Sequence, residues 1–106
     1  MDNKITSEKK AQILKIHPKD NLIVALTDLR KNDIVHLNGM DYLLKENIPA
    51  KHKFFENDMK AGEEIFMYGV LVGKTQVDVE KGSRVSVENV KHAAQPYSYR
   101  NVKPHW

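Results

Sequence analysis

The sequence predicts a small all-β domain, and three observations carry that prediction. Its apolar residues come in short runs rich in β-branched and aromatic side chains, and no stretch keeps a helical period over three turns. Gly, Asn, Asp and Pro recur between those runs, where turns are needed. One eight-residue phrase also occurs three times, in a pattern suited to a chain that reverses repeatedly into new strands. A length of 106 residues suits one compact domain rather than two.

Residues 1–12 are polar and read as a lead-in. Ile13-Leu14-Lys15-Ile16 alternates as a half-buried strand does. His17-Pro18-Lys19-Asp20-Asn21 then supplies a turn, and the apolar run Leu22 to Leu26 is long enough for a buried strand but too short for a helix. The repeated phrase follows as Asp28 to Val35, Asp58 to Ile65 and Asp78 to Val85. Each copy has Asp first, an apolar residue second, Asn or Gly fifth and a β-branched residue eighth. Asp can cap the turn, the apolar residue anchors it, and the fifth residue tolerates positive φ.

His36 lies in a strand between Val35 and Leu37 and points away from both. Further strands are expected at Tyr42–Leu44, Lys53–Phe55, Ile65–Tyr68, Val70–Val72 and Arg84–Val87. Tyr68-Gly69 and Val72-Gly73 look like places where a sheet bends or backbones approach closely. Phe54, Phe55 and Phe66 read as core or interface residues. The tail from His92 to Trp106, with Pro96 and Pro104, reads as a linker or docking strap, and neither His92 nor His105 has an evident partner. Many short strands with frequent turns imply a compact barrel or clip-like sheet.

Composition excludes several classes of function. The net charge is +3, and basic and acidic residues alternate rather than forming the basic stripe of a nucleic-acid binder. The absence of cysteine removes disulfides, thiolate nucleophiles and cysteine-ligated zinc. No apolar run approaches the length of a membrane span, and the N-terminus lacks a secretory segment. A soluble, cytoplasmic protein with neither nucleic acid nor membrane as partner is expected.

Four landmarks stand in order: Ile16-His17-Pro18-Lys19-Asp20-Asn21, Ile48-Pro49-Ala50-Lys51-His52-Lys53, Tyr68-Gly69-Val70-Leu71-Val72-Gly73 and Glu88-Asn89-Val90-Lys91. Together they resemble the N-terminal SAF domain of the altronate and galactarate dehydratases, over about residues 13–91. The small subunit of (2R)-sulfolactate sulfo-lyase carries a similar module. The resemblance implies a β-clip fold and work beside a larger catalytic domain or subunit. That partner would remove water from a hexonic sugar acid in hexuronate catabolism, with a divalent metal, commonly iron(II), as cofactor. Two departures stand out. The family's Ile-Pro-x-Gly-His-Lys phrase has Lys51 at the glycine position, and a frequent His-x-His-Asn cluster is Ser86-Val87-Glu88-Asn89.

His52 is the foremost catalytic candidate, since it follows Pro49 on an expected surface turn and matches a family landmark. Flanking lysines favour its neutral imidazole, which can accept a proton or bind a metal. Lys51 and Lys53 can hold a substrate carboxylate as point charges, and Asn89 is a further substrate-binding candidate. Glu88 is the one metal-ligand candidate of the departed cluster. His17, beside Asp20 and Asn21, is explained by turn formation. No nucleophilic triad, phosphate loop or complete metal quartet can be assembled. The chain is therefore expected to lack independent catalysis and to serve a sugar-acid lyase as an accessory module. A fragment of a longer polypeptide is expected ahead of a separate small subunit, with homo-oligomerisation open. A stand-alone carbohydrate- or protein-binding SAF module is the competing expectation, and a small RNA-binding barrel the remoter one.

Overall fold

A computed structural model describes residues 11–93, and within them every regular element is a strand. The strands are β1 (Ile13–Leu14), β2 (Leu22–Ala25), β3 (Ile34–Leu37), β4 (Met40–Leu43), β5 (Lys53–Phe55), β6 (Glu64–Met67), β7 (Val70–Thr75) and β8 (Val90–His92). All pairings are antiparallel, in a β1-β2-β5 sheet, a β3-β4 hairpin and a β6-β7-β8 sheet. The all-β expectation is met.

The β1-β2-β5 sheet is a wall between two apolar clusters. Side chains alternate across a strand, so Ile13, Ile23, Ala25 and Phe54 face one way and Leu22, Val24 and Phe55 the other. The first set packs with Leu29, Val35, Tyr42, Leu44 and Ile48, and the second with Met59, Ile65, Met67, Val72, Val79, Val85 and Val90. Glu56 bridges elements on the first side: Lys15 Nζ donates to its Oε2 at 2.9 Å and Oε1 at 3.2 Å, and Tyr42 hydrogen-bonds to it. Burial first, then the Glu56 charge and hydrogen bond, pushes the Tyr42 phenol pKa up.

The repeated phrase organises both halves. Its fifth residues take positive φ: Asn32 at 76°, Gly62 at 91° and Gly82 at 90°. Lys51, at 73°, belongs with them. Asn47-Ile48-Pro49-Ala50-Lys51-His52-Lys53-Phe54 is thus a fourth copy, disguised by Asn for Asp, Lys for Gly and Phe for a β-branched residue. In all four, the sixth residue's N–H donates to the third residue's carbonyl: Asp33 to Arg30 at 3.0 Å, His52 to Pro49 at 3.0 Å, Glu63 to Lys60 at 3.3 Å and Ser83 to Glu80 at 3.0 Å. Second-place residues Leu29, Ile48, Met59 and Val79 are buried, as are the eighth-place Val35, Phe54, Ile65 and Val85.

The copies work in reciprocal pairs. Asp28 Oδ1 accepts from Ala50 N–H at 2.8 Å, and Asn47 Oδ1 accepts from Lys31 N–H at 2.9 Å. In the second half, Asp58 Oδ1 accepts from Lys81 N–H at 2.8 Å and Asp78 Oδ1 from Ala61 N–H at 2.9 Å. Bridges Leu29↔Ile48 and Met59↔Val79 join the same pairs. The halves then meet through the Phe54↔Arg84 bridge, with Val85 N–H donating to Lys53 O at 2.9 Å. Each half also carries a hairpin closed by two positive-φ residues, Asn38-Gly39 and Tyr68-Gly69, the backbone a tight two-residue turn requires.

Four sequence expectations need correction. Arg84–Val87 is not a strand: Arg84 makes only a bridge, because Asn89 draws residues 86–89 into a turn. His92 is not in a tail but ends β8, paired with Gly73. Gly73 permits that pairing, since a Cβ there would meet Lys91 O at 2.3 Å. The strand at Ile13 stops at Leu14. Lys53, expected at the surface, is buried. Of the expected lead-in, Ala11 and Gln12 are exposed, and the rest of it, like the linker reading beyond residue 93, lies outside the described residues.

Candidate functional site

Two surfaces collect the residues that the sequence singled out. The first joins the His17–Asn21 turn to the β6-β7 hairpin. Asp20 is 1% exposed, and its carboxylate accepts three backbone N–H groups: Gly69 at 2.8 Å, Tyr68 at 3.1 Å and His17 at 3.2 Å. Asn21 completes the clasp, donating from Nδ2 to Glu64 O at 3.0 Å and accepting Phe66 N–H at 3.0 Å. The His17 ring lies over Gly69, where a Cβ would stand 2.9 Å from it, and its Nδ1 accepts Lys19 N–H at 3.0 Å. Lys19 Nζ sits 4.5 Å from the Phe66 ring centroid. Both carboxylate oxygens of Asp20 and its N–H, which donates to His17 O at 2.9 Å, are therefore engaged in holding the fold.

The second surface centres on His52. Lys51 N–H donates to Ala25 O at 2.6 Å and Ala25 N–H donates to His52 O at 2.8 Å, so the turn is riveted to the end of β2. In two equivalent turns the sixth side chain is consumed: Asp33 Oδ2 accepts Arg30 N–H at 2.9 Å and Glu63 Oε2 accepts Lys60 N–H at 2.7 Å. Pro49 occupies the corresponding donor position and has no N–H. The half-buried His52 is thereby released from turn-making, and no hydrogen bond to its imidazole occurs among the described residues.

Around it, the other candidates separate. Lys51 is exposed, at the positive φ that explains the glycine of the family phrase. Lys53 points into the sheet beside Val24, 6% exposed, and burial lowers its ammonium pKa. The register that places Val85 beside Lys53 sends the 86–89 turn off from the His52 end of β5. Within that turn Asn89 is occupied, its Oδ1 accepting Ser86 N–H at 2.9 Å and its Nδ2 donating to Arg84 O at 2.9 Å. Glu88 is exposed, with its N–H on Ser86 Oγ at 3.2 Å. No group of three or more His, Cys, Asp or Glu able to hold a metal ion exists among the described residues. Glu88 therefore belongs to no such group among the described residues.

Elsewhere, an open hollow of about 360 Å³ is lined by Ile34, Asp41, Leu43, Lys45, Asp58 and Lys81. It shares no residue with either surface. Lys81 Nζ lies 4.9 Å from the Tyr42 ring centroid, and His36 Nδ1 pairs with Asp41 Oδ1 at 2.5 Å on the exposed face of the β3-β4 hairpin. Sequence reasoning did not anticipate the His36–Asp41 pair, because it depends on hairpin register.

Comparison with known proteins agrees with this geometry. Residues 11–93 match the altronate/galactarate dehydratase SAF domain family. The chain is 33% identical over 89 residues to an altronate dehydratase of Bacillus subtilis (strain 168), an alignment covering 81% of this chain and 18% of that protein. It is 31% identical over 80 residues to an altronate dehydratase of Escherichia coli (strain K12), covering 76% of this chain and 16% of that protein. The chain thus spans less than a fifth of the length of these curated relatives.

Proposed function

The chain belongs to the altronate/galactarate dehydratase SAF domain family, and from that membership we propose that it is the accessory module of an altronate dehydratase. The observation that carries this reading is the match of its whole described fold to one small part of each dehydratase relative. The chemistry then belongs mainly to a larger domain or subunit, with this chain contributing one or two groups beside the substrate. Altronate, a hexonic acid of hexuronate catabolism, is the proposed substrate.

Loss of water from a sugar acid needs a base for the proton next to the carboxylate and an acid for the departing hydroxyl. His52 is suited to one of those proton transfers, because Pro49 leaves its imidazole without a structural task. Exposed Lys51 is suited to the substrate carboxylate. Lys53 and Asn89 instead support the surface from within. Iron(II) is the metal proposed for the complete enzyme, and since the described residues hold no group of three or more His, Cys, Asp or Glu able to hold a metal ion, at least part of its ligand set would come from the larger domain. No described helix is long and apolar enough to cross a membrane, and the cysteine-free composition suits the cytoplasm we propose for it.

The test joins this chain, by mixing or fusion, to the large domain of an altronate dehydratase lacking its own N-terminal module. Dehydration of altronate that appears only in the joined protein is the expected result. A chain that leaves the large domain's rate unchanged, yet alone holds a sugar acid tightly, would overturn the reading in favour of a stand-alone binding module.

A further inference from the structure

The β3 and β6 strands and the turns that follow them correspond residue by residue, although a bulge shifts the β6-β7 register between Ile65 and Phe66, yet the two are covered differently. In the second half the outer edge and tip of the β6-β7 hairpin are occupied: Asn21 bonds Phe66 N–H, Phe66 O and Glu64 O, and the Asp20 carboxylate takes the N–H groups of Tyr68 and Gly69. The corresponding groups of the first half are the His36 N–H and carbonyl, the Ile34 carbonyl and the N–H groups of Asn38 and Gly39. Because Leu37 and Met40 close the hairpin and opposed residues alternate between bonded and unbonded pairs, the His36 and Ile34 groups face away from β4. None of these five groups has a hydrogen-bond partner among the described residues.

The tips differ in the same sense. A Cβ on Gly69 would meet the His17 ring at 2.9 Å, whereas one on Gly39 would meet nothing within 4 Å. Both turns share the positive-φ backbone, at 58° and 77° for Tyr68-Gly69 and 51° and 81° for Asn38-Gly39. The copy that no described residue covers is also flanked by apolar surface, with Ile34 56%, Met40 50% and Leu43 44% exposed. An uncovered strand edge beside exposed apolar residues is a template for pairing with another segment.

We propose that the outer edge and tip of the β3-β4 hairpin are a docking site for an Asp-Asn turn presented by a partner protein. The carboxylate spans the N–H groups of Asn38 and Gly39, and the side-chain amide bridges the His36 N–H and the Ile34 carbonyl. This repeats what Asp20 and Asn21 do on the second half. A carboxylate is favoured over a neutral group because in the second half the two turn N–H groups each take one of its two oxygens, and charge-assisted bonds are the stronger kind. The proposal stands apart from the dehydratase reading, since the surface is defined by internal correspondence alone.

The test is a nitrogen-15 NMR titration of the 106-residue chain with a capped His-Pro-Lys-Asp-Asn-Leu peptide. Saturable shifts at the amides of His36, Asn38 and Gly39 are expected. A control peptide with Ala in place of its Asp should bind roughly tenfold or more weakly, the loss of a hydrogen bond to a charged group. Equal affinity for the two peptides, shifts confined to Tyr68 and Gly69, or no saturable change would each overturn the proposal. None of those outcomes would bear on the activity test with the large domain.

Discussion

Gly69 donates its N–H to the Asp20 carboxylate at 2.8 Å, across 49 residues of sequence, and through this contact the opening turn holds the β6-β7 hairpin. Two of the four family landmarks are therefore partners in one structural clasp.

Asp20→Ala removes a buried acceptor from three backbone N–H groups, those of His17, Tyr68 and Gly69. Unsatisfied buried donors are costly, so unfolding in urea should show a loss of about 3 kcal/mol. A loss within experimental error of zero would mean that the clasp contributes nothing to stability.

Gly69→Ala places a Cβ 2.9 Å from the His17 ring, at a φ of 77°. The cost should be about 1–3 kcal/mol. His17→Ala frees the space, so the double variant should be less destabilised than the sum of the singles. Additive effects in that cycle would show that backbone strain alone sets the cost.

Lys51→Gly relieves a non-glycine residue at a φ of 73°. Stability should rise by about 0.5–1 kcal/mol, with the entropy cost of glycine offsetting part of the gain. Thermal or urea unfolding reads this directly, and a fall in stability would contradict the turn geometry.

Burial lowers the Lys53 pKa, so the folded chain releases this proton at lower pH than the unfolded chain does. Between the two values the unfolded state holds more protons, and stability rises with pH until the ordinary lysine value of 10.5. Tyr42 acts in the opposite sense: its raised pKa makes stability fall above 10.0. Urea unfolding as a function of pH should show the rise from Lys53 below pH 10.0, and Lys53→Met should abolish it.

His52→Ala in the chain joined to the large domain of an altronate dehydratase should lower the turnover of altronate by roughly tenfold or more if His52 carries a proton. The melting temperature should stay near the parent value, because the His52 backbone makes the turn contacts and its ring makes no hydrogen bond among the described residues. Unchanged turnover at saturating substrate and metal removes His52 from the site.

Much of the turn chemistry was legible in the sequence, because turns depend on local backbone geometry. The three repeated phrases showed where φ becomes positive at Asn32, Gly62 and Gly82. A turn after Pro49 was expected, but its membership of the repeat was hidden, since lysine as a residue type carries no mark of the left-handed backbone that Lys51 adopts where the turn bonds to Ala25. Lys53 was misread for a related reason: alternation along β5 aims it inward, and its polarity gave no warning.

By itself the sequence determined the all-β class, the strand-and-turn rhythm, the family and His52 as the foremost candidate. Those properties reside in residue type and short spacing. Only the tertiary structure decided that Asp20 clasps Gly69, that Asn89 is spent on its own turn, and that the halves form reciprocal pairs with one hairpin edge left open among the described residues. Each of these is a contact between distant segments, and no local pattern encodes which carbonyl or amide a side chain will meet once the sheets have closed.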